Sequence, residues 1–183
     1  MSPTRSIKKL SRLLRSFPEG EEADAAVAVL LKSVEQDAEV LLVKRVESPH
    51  DPWSGQMAFP GGKRDESDQD LKQTVVRETL EETNIDLLDH GLILGVMTPF
   101  RSTERPEMKI LPFVVLLQHQ PFIRLNEELE DHLWIPLAEL DRCRGSAKFS
   151  FGAYPAYLVG DKVIWGLTYR ILHKLLDILQ CSQ

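Results

Sequence analysis

The sequence predicts an α/β protein in which a mixed β-sheet is covered by helices. Two observations carry this. Runs rich in Val, Leu and Ile at Ala25–Val34, Glu39–Arg45 and Lys109–Gln118 have the length and composition of strands. Two-faced segments at Gln69–Thr83 and after Trp165 have helical spacing. The two kinds of segment do not alternate strictly, so the sheet is expected to be mixed rather than all parallel.

The elements follow in order. Residues 1–18 hold Arg5, Lys8, Lys9, Arg12 and Arg15 and no acid, with Ile7, Leu10, Leu13, Leu14 and Phe17 at helical spacing. A targeting presequence shares this pattern. The expectation here is a helix packed on the body of the domain. Pro18–Glu22 is a turn-rich break. The strands Ala25–Val34 and Glu39–Arg45 are joined by Glu35-Gln36-Asp37 as a hairpin. Val46–Asp68 is then a long loop with Pro49, Pro52, Pro60 and Gly61-Gly62, and a loop of that length inside a domain is usually functional. Gln69–Thr83 is the central helix, with Asn84 placed for a left-handed cap. Strands are expected at Leu92–Thr98, Lys109–Gln118 and Leu133–Pro136, and a short helix at Leu137–Cys143. Short extended pieces and turns should fill Phe149–Val163. Trp165, Tyr169, Leu172, Leu175, Leu176 and Leu179 mark a C-terminal amphipathic helix whose apolar face packs on the core.

Composition narrows the function classes. The 183 residues form one expected domain, 1–183, long enough to bury a core without metal or disulfide staples. Hydrophobic residues make up 43% and charged residues 27%, which excludes global disorder. Lys and Arg number 22 against 28 Asp and Glu, a net charge of -6 that argues against nucleic-acid binding by bulk charge. No apolar run approaches a membrane span. Cys143 and Cys181 form no CxxC pair and point to a reducing compartment, so a cytoplasmic location is expected.

The densest chemistry is Arg77-Glu78-Thr79-Leu80-Glu81-Glu82. On a helix, Glu78 and Glu82 are spaced i, i+4, and Glu78 and Glu81 are spaced i, i+3, so the three carboxylates crowd one side. Arg77 offsets part of the charge through Glu81. A hard divalent cation would offset the rest, because Mg²⁺ and its like take oxygen ligands of this kind. Taken alone, such a cluster is more often a solvated acidic face. The context changes that balance. Phe59-Pro60-Gly61-Gly62 stands just upstream, where glycine lets backbone approach a ligand or metal closely. A close-approach loop followed by three carboxylates suits holding phosphate oxygens through bridging metals. There is no GxSxG nucleophile elbow and no GxxxxGK[ST] phosphate loop, and the five histidines lack metal-site spacing.

The stretch Gly62–Ile85 resembles the Nudix box: Gly, five residues, Glu, seven residues, Arg-Glu, an apolar residue, any residue, Glu-Glu, any residue, Gly, an apolar residue. Arg77, Glu78, Glu81, Glu82 and Ile85 match. Gly62 stands 15 residues before Arg77 instead of 14. Asp68 and Gln69 flank the place of the first Glu, Asn84 replaces the second Gly, and Thr79 replaces the first apolar residue. The extra residue and the nearby Asp are similar to the coenzyme A diphosphatase branch. Leu41-Leu42 through Arg45 to Phe59-Pro60-Gly61-Gly62 resembles that branch's upstream pattern, with one residue too many between Arg45 and Gly55 and with His50 near the place of a second Arg.

The resemblance implies an α/β/α sandwich with extra N- and C-terminal helices, and hydrolysis of a small-molecule diphosphate. It implies Mg²⁺ or Mn²⁺ held by Glu78, Glu81 and Glu82, with Arg77 in the catalytic cluster and Gly61 or Gly62 adding a carbonyl. A further ligand is expected from a distal loop holding Glu127, Glu128 and Glu130, with Glu128 favoured. Substrate contacts are expected from Arg45, Gly61, Gly62, Lys63 and Arg101, since Arg suits bidentate phosphate recognition. Trp53 either stacks on a base or anchors its loop. The rival substrates are oxidised nucleoside triphosphates and dinucleotides. The rival class is a non-catalytic sensor on the same fold, which the intact glutamates disfavour. A homodimer is left open, with no nucleic-acid or membrane partner expected.

Overall fold

The computed structural model describes residues 4–18, 20–35, 37–48, 54–103 and 105–180. The expectations for His50, Trp53 and Cys181 lie outside them. In chain order the elements are α1 (Arg5–Leu13), β1 (Ala25–Val34), β2 (Asp37–Arg45), β3 (Met57–Ala58), β4 (Gly61–Lys63), α2 (Leu71–Thr83), α3 (Leu87–His90), β5 (Gly91–Val96), β6 (Phe100–Arg101), β7 (Lys109–Leu117), β8 (Leu129–Pro136), α4 (Leu137–Leu140), a 3₁₀ turn (Asp141–Cys143), β9 (Arg144–Phe149), β10 (Gly152–Val159), β11 (Lys162–Trp165) and α5 (Gly166–Gln180).

The principal sheet runs β3-β2-β1-β7-β5, with β4 on β1, β6 on β7 and β8 on β2. β1 and β7 pair in parallel over Ala25–Lys32 and Ile110–Leu117, while the other pairs are antiparallel. The sheet is therefore mixed, as expected. β1 and β7 are buried on both faces and read as near-continuous apolar runs for that reason.

The alternation of side chains divides the core. Ala26, Ala28, Leu30 and Leu41 face α2 through Leu71 and Val75. Val29, Leu31, Val40 and Leu42 face α1 and α5 through Ile7, Leu10, Ile171, Leu172 and Leu175. Helices thus cover both faces. The N-terminal helix is shorter than 1–18 because Arg15 leaves it to bridge Val96. Thr4 caps its start by accepting from the Ile7 N–H.

Two expectations change. The long loop is not structureless: β3 and β4 lie within it and pair with β2 and β1. The segment around Phe149–Val163 is a second, three-stranded antiparallel sheet, β11-β10-β9, starting at Arg144. Trp165 ends β11, and α5 begins one residue later. Among the described residues, no helix is long and apolar enough to cross a membrane.

Candidate active site

Helix α2 carries the acidic residues, and both of its ends are built locally. Asp70 caps it by accepting from the Gln73 N–H at 2.8 Å, so it starts two residues later than Gln69. Asn84 closes it at φ 60°, in the left-handed region that Gly or Asn supplies. Leu71, Thr74, Val75, Thr79, Glu82 and Thr83 are its buried side.

Glu82 is on that buried side, only 5% exposed, and its Oε2 accepts from the Gly61 N–H at 2.8 Å. Burial pushes its carboxyl up to about 7, assisted by Glu78 and Glu128 and opposed by the Gly61 N–H and the Arg45 charge. Glu78 is half-buried, and burial raises its pKa as well, against the pull of Arg77. Glu81 lies farther out, with a side chain 55% exposed, turned to Arg77 at 3.2 Å.

Arg77 is the hub of these charges. It bonds Asp68 in bidentate fashion, Nε to Oδ1 at 3.1 Å and Nη2 to Oδ2 at 2.9 Å. It also donates to Glu78 Oε1 at 2.8 Å and to the Lys63 carbonyl at 3.3 Å. Asp68 is buried, and the guanidinium holds its carboxyl far below the usual range. Sequence reasoning assigned Asp68 no role. The available signal was an Asp beside the place where the box has its first Glu.

The upstream glycines fit against this cluster. A Cβ on Gly62 would lie 2.5 Å from the Glu78 carboxyl carbon. A Cβ on Gly61, where φ is +144°, would lie 2.3 Å from the Ala26 carbonyl oxygen. β4 therefore passes close to both β1 and α2 only because these residues lack side chains.

The remaining expected residues divide. Arg45, at the end of β2, acts electrostatically on Glu82, and Glu128 acts on both Glu78 and Glu82. Glu130 is turned instead to an ion pair with Lys44. Lys63 is exposed, and its backbone carbonyl meets Arg77. Arg101 donates to the Pro106 carbonyl at 2.9 Å, a contact within its own turn.

Among the described residues, no three His, Cys, Asp or Glu side chains are already gathered around one point. Glu78 leans on Arg77 and Glu82 on the Gly61 amide. The donor set nonetheless fits a hard divalent cation. Its donors are oxygens, and two of its carboxyls are raised because burial exceeds the compensation the protein's own cations supply.

A family model, the NUDIX domain, matches residues 22–157. The chain belongs to the Nudix family. The chain is 33% identical over 167 residues to the human mitochondrial coenzyme A diphosphatase NUDT8, covering 86% of this chain and 70% of that one. It is 35% identical over 122 residues to the Caenorhabditis elegans peroxisomal coenzyme A diphosphatase ndx-8, covering 64% of this chain and 50% of that one. It spans only 32% of an uncharacterised Schizosaccharomyces pombe relative, C14C4.10c, with 40% identity over 107 residues. The fold matches the Mycobacterium smegmatis Nudix hydrolase RenU with a TM-score of 0.60 at 15% identity, over 88% of each chain.

Proposed function

We propose that this Nudix hydrolase is a Mg²⁺- or Mn²⁺-dependent pyrophosphohydrolase acting on coenzyme A or an acyl derivative. The observation that carries the reading is the carboxylate pair of half-buried Glu78 and buried Glu82 set against Gly61-Gly62. Likeness to two coenzyme A diphosphatases supports the substrate class.

Glu78, Glu81 and Glu82, with Glu128 and the Gly62 carbonyl, would hold the metal. When bound, the ion neutralises charge on the phosphate oxygens and lowers the pKa of a bound water. Arg77 holds the Glu78 carboxylate in place and is itself fixed by Asp68. The Gly61 N–H orients Glu82. Arg45, Lys63 and the Gly61-Gly62 backbone meet the diphosphate. A carboxylate of the cluster accepts the proton of the attacking water. The water oxygen bonds to one phosphorus while the P–O bond to the bridging oxygen breaks. The products would be a phosphopantetheine and adenosine 3′,5′-bisphosphate.

A hydrolysis screen over coenzyme A, dinucleotides and nucleoside triphosphates, with product identification, tests the substrate. Coenzyme A should have the highest kcat/KM. A nucleoside triphosphate cleaved with a far larger kcat/KM would overturn the coenzyme A reading.

A further inference from the structure

A cavity of about 580 Å³ lies away from α2, between the segment Ser54–Met57 and the sheet β9–β11. Its aromatic wall comes from Phe149, Phe151 and Trp165. Phe149 and Phe151 are parallel within 1° at 5.2 Å, and Trp165 closes on Phe149 at 4.4 Å. Phe151 remains 61% exposed, so part of an aromatic surface is open to solvent.

Three chain segments tie this cavity to the acidic cluster. On β2, Lys44 lines the cavity and its neighbour Arg45 acts on Glu82. Lys44 pairs with Met57, and the Arg45 N–H donates to the carbonyl of the cavity residue Gln56 at 3.1 Å, so cavity and cluster flank the same strand end. On the second segment Met57 lines the cavity, and five residues later Gly62 abuts Glu78. That stretch spans at most about 17 Å when extended. On the third, Glu130 pairs with the cavity's Lys44, and two residues earlier Glu128 acts on Glu78 and Glu82.

The lining selects the occupant. Lys44 is paired with Glu130, and Lys162 with Asp131 at 3.4 Å and Asp161 at 3.2 Å. These cations are already balanced by carboxylates, so the cavity suits a neutral group better than a further phosphate. A flat ring gains the whole face of an aromatic wall, whereas a flexible chain gains only part of it and loses rotamer freedom. Gln56 also lines the cavity, and its side-chain amide carries both a donor and an acceptor that a ring edge can use.

We propose that this cavity is the subsite for the purine base of the substrate, stacked on Phe151 and reaching the reacting diphosphate around the end of β2. The inference rests on the proposed diphosphate hydrolysis and names the part of the substrate recognised away from the metal.

The test uses the Phe151→Ala variant, an exposed position whose loss leaves the core intact. Adenosine 5′-monophosphate and pantetheine are titrated separately into metal-free protein and followed by calorimetry. The nucleotide should bind the wild type, and Phe151→Ala should weaken it tenfold or more. In turnover, the same variant should raise the KM for coenzyme A by a similar factor with kcat within a few fold, the mark of binding shared by ground and transition states. Nucleotide binding unaffected by the variant, or no nucleotide binding at all, overturns the subsite. So does pantetheine binding that Phe151→Ala weakens while the nucleotide is unaffected. Nucleotide binding that depends on Phe151, without any turnover of coenzyme A, fails the proposed substrate and keeps the subsite.

Discussion

Glu82 is a carboxylate placed where burial disfavours its charge. Its pKa rises from the unfolded value near 4.3 to about 7 in the fold. A group raised in this way stabilises the fold fully only below its unfolded pKa, and that contribution is lost as pH rises through 7. Glu82→Gln keeps the acceptor for the Gly61 N–H and removes the charge. The metal-free variant should therefore melt several degrees higher than wild type at pH 8 and nearly equally at pH 4, by thermal melts in chelator. Its kcat should fall 10²-fold or more, the scale of losing one electrostatic element at a reacting centre. Unchanged turnover would withdraw Glu82 from the site. Asp68 behaves oppositely, since Arg77 holds its carboxyl low. Its contribution is present above the unfolded pKa of about 3.9 and is lost as pH falls below it. Asp68→Asn should cost about 1–3 kcal/mol at pH 7, and the deficit should shrink between pH 4 and pH 3 in denaturant titrations. Thr79 has a buried Oγ1 with no hydrogen-bond partner among the described residues. Thr79→Val should leave activity unchanged and stabilise by about 1 kcal/mol, read as a higher denaturation midpoint.

Helix α2 and strand β4 form the working element, and two adjacent glycines separate its folding from its chemistry. At Gly61 an added Cβ meets the Ala26 backbone at a positive φ, which nothing nearby can relieve. Gly61→Ala should destabilise by about 2 kcal/mol or more. At Gly62 the atoms nearest the added Cβ are the carboxyl end of the Glu78 side chain, not backbone. Gly62→Ala should therefore keep Tm within a few degrees and lower kcat at least tenfold by displacing that carboxylate. Equal loss of Tm in both variants would show that Gly62 is only a packing glycine. Much of this element was legible in sequence, since the periodicity, Asn84 and the Arg77–Glu82 run are local signals. The Asp68 clamp was not, because Asp68 lies outside α2, in the turn that leads from β4 to the helix, and the start of that turn is set by the β1–β4 pairing. Glu81 shows the converse limit. Spacing put it beside Glu78, and both do share the Arg77 Nη1, but spacing did not show that Glu81 lies on the exposed side while Glu82 faces the sheet.

Across the whole molecule, a divalent cation should bind through residues from separate segments, α2, the β3–β4 region and the start of β8. Excess chelator should abolish turnover, and Mg²⁺ or Mn²⁺ should raise Tm by mass action on the folded state; full turnover in chelator would sink the proposed mechanism. The sequence by itself determined the α/β class, the strands β1, β2 and β7, the helices α2 and α5, and the acidic run, because each is written in local periodicity or a contiguous motif. Tertiary structure alone decided the parallel pairing of β1 with β7, the short strands inside the expected long loop, and the second sheet at Arg144–Trp165. It also committed Glu130 to Lys44, while Glu128, already favoured in the sequence, acts on Glu78 and Glu82. The physical reason is the same in each case. Two- and three-residue strands carry too few side chains to show a period, and an ion pair between residues 86 apart leaves no trace in either neighbourhood.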